Sequence, residues 1–60
     1  MNKYDFIKTI LNTFYKNTIC FNNEFKENFV KDWVKLFLKE KYKKLYTRKI
    51  IDYINNYKFN

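Results

Sequence analysis

Residues 29–47 read FVKDWVKLFLKEKYKKLYT, and where this stretch is divided decides the fold. Its first half continues a helical spacing that begins upstream. Phe25, Phe29, Val30, Trp33, Val34, Leu36 and Phe37 share one broad face on a wheel of about 100° per residue. Past that point the phase shifts. Leu38, Tyr42, Leu45 and Tyr46 fall on nearly the opposite side, and Glu40 lands on the first face. One straight helix would bury one set and expose the other, so a break is expected between about residues 39 and 47.

Working outward, Thr47 then caps a third helix with Ile50, Ile51, Ile54 and Tyr57 as its stripe. A start near Lys41 fits equally well, because Tyr42, Leu45, Tyr46, Ile50, Tyr53, Ile54 and Tyr57 are also helically spaced. Upstream, Asn22 or Asn23 caps the middle helix, with Glu24 and Glu27 complementing its positive first turn. Residues 17–23, NTICFNN, favour a connection over a helix, and their apolar members are expected to plug the core. Before them, Tyr4, Ile7, Ile10, Leu11, Phe14 and Tyr15 recur at three- and four-residue steps behind an Asn2 cap and Asp5. The expectation is all-α: one small domain, a compact three-helix arrangement over residues 3–16, 24–40 and 47–58 with an aromatic-rich core.

A chain of 60 residues buries only about 60% of its unfolded surface, so its core is marginal. Seven Phe, six Tyr and one Trp supply the apolar area. Cys20, the lone cysteine, can form no internal disulfide and reads as a small buried hydrophobe in a reducing compartment. Asp5 and Lys8 interrupt the N-terminal stretch, and no apolar run exceeds three residues. A soluble protein of the cytoplasm or an organelle matrix is therefore expected.

The net charge of +7 invites a nucleic-acid reading, but a blander cause exists. Lys, Asn, Phe, Tyr, Ile and Met make up 41 of the 60 residues, and all have A/T-rich codons. Of the residues with G/C-rich codons only Arg48 occurs. A gene from a very AT-rich genome, such as a phage or other mobile element, an organelle or a parasite, explains part of the lysine excess.

Absent residues narrow the chemistry further. Without His or Ser, neither a Ser-His-Asp nor a Cys-His nucleophile can be assembled. Without Gly, no phosphate-cradling loop can be written. Glu24 and Glu27 share a helix face but suit the helix dipole better than a metal ion. No enzymatic activity, cofactor or metal is expected.

What remains is binding. Lys31, Lys35 and Lys39 form a ladder at i, i+4 and i+8, a rail of cations able to meet successive phosphates or, more simply, a solvated face. A denser cluster of Lys41, Lys43, Lys44, Arg48 and Lys49 interleaves with Tyr42 and Tyr46. Cations with rings suit single-stranded or structured RNA, where bases stack and phosphates pair. Arg48 is singular in a chain that otherwise uses Lys, and its planar fork pairs well with phosphate.

The stretch 34–54, VKLFLKEKYKKLYTRKIIDYI, resembles in outline SAP-type helix–loop–helix nucleic-acid modules: a basic-ended amphipathic helix, then a Thr/Lys start and an aliphatic pair. The resemblance covers about a third of the chain and lacks that family's loop glycine, so it assigns no membership.

Two functions follow as expectations. The first is a binding module that docks on nucleic acid or a nucleoprotein complex, such as a ribosome-like or nuclease–RNA assembly. The alternative is a phage or mobile-element inhibitor that docks on an acidic protein surface of a host defence or regulatory factor. Aromatic faces, with Phe21, Phe25, Tyr53, Tyr57 and Phe59 as candidates, could add a protein partner or a homo-oligomer to either.

Overall fold

A computed structural model describes residues 2–19 and 21–59. Three α-helices follow one another: α1 (Lys3–Asn17), α2 (Asn23–Lys41) and α3 (Arg48–Asn55), with a single 3-10 turn, Lys43–Leu45, between the last two. Each helix packs on both others. The all-α three-helix arrangement is as the periodicity predicts, and the break falls at Tyr42, inside the expected window.

Local chemistry sets the starts. The Asn2 side chain accepts from the Tyr4 N–H at 2.8 Å, that of Asn22 from the Phe25 N–H at 2.9 Å, and the Thr47 hydroxyl oxygen from the Ile50 N–H at 3.3 Å. Each cap satisfies a donor that the helix itself leaves orphaned. The Thr47 cap decides against a third helix starting near Lys41.

Helix ends need another solution, because a chain without glycine lacks the usual left-handed terminator. Among the described residues no backbone φ is positive. Side chains close the ends instead. The Thr18 hydroxyl donates to the Phe14 carbonyl at 2.7 Å and the Asn17 amide to the Thr13 carbonyl at 2.8 Å. At the end of α3, the Asn56 amide donates to the Asp52 carbonyl at 2.9 Å. The third helix is shorter than the expected 47–58 for this reason: Asn56 closes it, and Tyr57 and Phe59 lie beyond its end.

The core corrects two expectations. It is aliphatic, not aromatic: Ile7 and Leu11 from α1, Val30, Val34 and Leu38 from α2, and Ile50 and Ile54 from α3 are the fully buried side chains. Each helix contributes an i, i+4 series. The gap where three helices meet is filled by branched side chains stacked one turn apart, and rings are too wide for it. Tyr4, Phe6, Phe14, Tyr15, Phe37, Tyr46, Tyr53, Tyr57 and Phe59 form a partly buried shell around it. Tyr15 stacks on Phe59 at 4.4 Å and Phe14 on Trp33 at 4.8 Å, while Tyr4 meets Tyr53 edge-on at 5.1 Å. The Asn12 amide donates to the Tyr57 hydroxyl at 3.0 Å and fastens the C-terminal tail to α1.

The second correction concerns the α1–α2 connection. Ile19 and Phe21 do not plug the core; both are wholly exposed. The core is already filled by seven residues whose spacing this connection does not share. Cys20, expected to be buried, lies outside the described residues.

Candidate nucleic-acid interface

The lysine ladder divides by function. The wheel angle that brings Val30, Val34 and Leu38 inward leaves Lys31 and Lys35 on the flank that faces α3. The Lys31 ammonium donates to the Asn55 carbonyl at 3.2 Å, and that of Lys35 to the Asn55 side-chain oxygen at 2.8 Å. Lys35 also pairs with Asp32 at 3.3 Å. Asn55 is the last residue of α3, where unpaired carbonyls and the negative end of the helix dipole attract cations. Two rungs of the ladder are thus ties between helices. Lys39, one turn further, has no such tie among the described residues and is exposed.

That third rung opens a groove. Two adjoining hollows of about 570 and 430 Å³ share Leu36, Lys39 and Tyr46. Glu40 and Lys43 complete the first, and Asp32, Lys35 and Ile51 the second. The tight turn after α2 builds it: the Tyr46 N–H donates to the Lys43 carbonyl at 3.1 Å, setting the tyrosine beside Lys43. Lys35, Lys39, Lys43 and Tyr46, four of the ten sequence-nominated residues, therefore meet in one place. Three ammonium groups ring a half-buried tyrosine over an apolar floor of Leu36 and Ile51. This arrangement suits an anion joined to a flat ring. Asp32 and Glu40 on the rim temper the charge, and Asp32 is already engaged by Lys35.

The other nominated residues do not join the groove. Tyr42 turns to the opposite side, 5.4 Å from Phe6 and 5.6 Å from Phe37, and seals the α1–α2 seam. Lys41, Lys44 and Arg48 project into solvent. Lys49 lies along the α1–α3 seam, in a hollow of about 620 Å³ lined with Tyr4, Asp52, Tyr53 and Tyr57. There burial, helped by the neighbouring Tyr57 hydroxyl and the Asp5 carboxylate, pushes the Tyr53 hydroxyl above its ordinary range. Tyr53 stays a neutral donor at physiological pH.

One electrostatic feature unites this end of the molecule. Among the described residues, the side chains of Lys39, Lys41, Lys43, Lys44, Arg48 and Lys49 make no hydrogen bond, ion pair or ring contact within the chain. Helices α1 and α2 open with Asp5 and Glu24 in their first turns, whereas α3 has no acid there and opens with Arg48 and Lys49. Cations at a helix N-terminus oppose its dipole by about 0.3–1 kcal/mol each. Folding alone would not favour them there.

A further surface escaped the sequence reading. Phe25, Phe29, Trp33 and Leu36 are 65, 48, 48 and 58% exposed, so this part of the expected α2 core face points outward while Val30 and Val34 of the same face are buried. The available signal was the width of the apolar arc: α2 is apolar on more of its circumference than one core can cover. Tyr53, Tyr57 and Phe59, nominated as exposed rings, instead pack on the core, while Phe21 and Phe25, which the sequence placed both toward the core and among the exposed rings, are exposed. Among the described residues no three His, Cys, Asp or Glu side chains gather as metal ligands. No described helix is long and apolar enough to cross a membrane.

The chain matches no protein-family model, no curated protein and no solved structure.

Proposed function

We propose that this chain is a non-catalytic binding module that docks on nucleic acid or a nucleoprotein complex through its 39–49 segment. Lys39 and Lys43 hold phosphate at the groove, Tyr46 offers a face for a base, and Lys44 and Arg48 extend the contact along the strand. The observation that carries the reading is the set of six cations with no partner inside the chain, two of them set against the dipole of α3. Affinity in such a system comes mainly from counterion release, with stacking adding about 1–3 kcal/mol per base.

The test is a titration of short single-stranded RNA and DNA oligonucleotides at several salt concentrations. Contact with about four phosphates gives a slope of roughly −3 in log K against log salt. Lys43→Glu combined with Arg48→Glu removes binding and leaves helicity intact. A flat response to salt overturns the reading.

An inhibitor docking on an acidic protein surface would draw on the same cations, and no separate observation favours it. Retention of a partner through nuclease treatment, in a pull-down from source cells, marks that case.

A further inference from the structure

We propose that the outward face of α2 is a two-fold interface, on which two copies of this chain pair with their α2 helices antiparallel. This rests on the apolar face and not on phosphate docking, although Leu36 belongs both to that face and to the floor of the groove. Phe25, Phe29, Trp33 and Leu36 recur at i, i+4, i+8 and i+11, one stripe on the side of the helix away from Val30, Val34 and Leu38. Phe29 and Trp33 are already in ring contact at 6.0 Å.

The stripe is symmetric about its own midpoint to within half a residue, residues 25 and 36 centring on 30.5 and residues 29 and 33 on 31. Setting Phe29 against Trp33 of a second copy also sets Phe25 against Leu36, and the same contacts repeat across the dyad. An isologous interface requires that self-complementarity. Taking about 150–250 Å² for a whole aromatic residue, the four side chains expose on the order of 450 Å², which is about a tenth of the 4834 Å² surface. With Asn28 and Asp32 beside it, a pair clears the roughly 1,000 Å² in total that a specific interface needs.

Charge selects the direction. The Leu36 end of the stripe shares its surroundings with Lys35, Lys39 and Lys43, against Asp32 and Glu40, whereas at the Phe25 end Lys26 lies over the Tyr15 ring. Antiparallel pairing holds the two Lys39 residues about 25 Å apart along the axis at 1.5 Å per residue, well beyond the Debye length of about 8 Å at physiological salt. Parallel pairing would stack the two 39–49 segments side by side.

Mass measurement in solution tests the proposal. Wild-type chain at about 100 μM should sediment at twice 7.6 kDa with a dissociation constant in the micromolar range. The emission of Trp33, the only tryptophan, should shift to the blue as concentration rises. Phe25→Glu and Leu36→Lys should each raise the dissociation constant at least about tenfold. An equimolar mixture should restore the dimer, because Glu at 25 then faces Lys at 36 across the interface. Wild-type chain that stays at 7.6 kDa up to millimolar concentration overturns the proposal and leaves the face to a different protein. Monomers that stay monomeric when mixed overturn the antiparallel register. The wild-type series stands without the variants, so a variant that loses helicity does not obscure the answer.

Discussion

The two faces of α2 are both apolar and have opposite fates. Val30, Val34 and Leu38 are sealed between α1 and α3, while Phe25, Phe29, Trp33 and Leu36 look outward. The larger, more hydrophobic-looking face is the one left in water. Shape explains the choice: three closely packed helices leave a narrow seam, and branched aliphatic side chains one turn apart fill it at crystal-like density. Apolar area drives collapse, but the width of the seam decides which area goes in.

That contrast gives the largest expected effect. Leu38→Ala leaves a void in the seam and should cost about 2–5 kcal/mol. A 60-residue domain has roughly 3–9 kcal/mol of stability in total, so much of the population should unfold at room temperature. Phe25→Ala, a larger deletion on the other face, should change monomer stability by no more than about 0.5 kcal/mol. Urea unfolding followed by circular dichroism at low protein concentration compares the two. Equal losses would mean that the outer face supports the fold and that the contrast is false.

A smaller effect separates the closures of the helices. Thr47→Ala removes the side-chain acceptor for the Ile50 N–H and should cost about 1 kcal/mol, visible as a lower urea midpoint. The loss should concentrate in α3, which has only eight residues and no other N-terminal partner. Hydrogen exchange should therefore quicken at Ile50 and Ile51 before it does in α1.

Much of this was legible in the sequence where chemistry is local. Asn2, Asn22 and Thr47 announce helix starts because a capping side chain acts within three residues of itself. Which stripe of α2 is buried was not legible in the same way, because it depends on the seam that two distant helices create. Leu38 shows the consequence: its change of phase looked like the approach of a break, whereas it continues the true core series from Val30 and Val34. The candidate site divides similarly. Lys43 and Tyr46 fall in one sequence cluster because one turn joins them, whereas Lys39 belongs to the ladder and only the fold brings it beside them. The diversion of Lys31 and Lys35 to the end of α3 is a contact between residues 20 and 24 apart in sequence, and spacing along one helix says nothing about it.

The three helix starts allow the finest comparison. All share the same kind of cap, so the first-turn charge is the clearest electrostatic difference among them: α1 and α2 set a carboxylate there beside Lys3 and Lys26, and α3 has cations alone. If Arg48 stands there for the fold, replacing it should destabilise the protein. If it stands there for a ligand, Arg48→Glu should raise stability by about 0.3–1 kcal/mol, since a carboxylate suits the positive end of the dipole. The same change should weaken oligonucleotide binding and lower the salt slope by about 1. A variant that melts higher while binding less would separate the demands of folding from those of docking at one residue. A variant that melts lower would show that the guanidinium serves the structure, and would return the basic start of α3 to the codon bias of its gene.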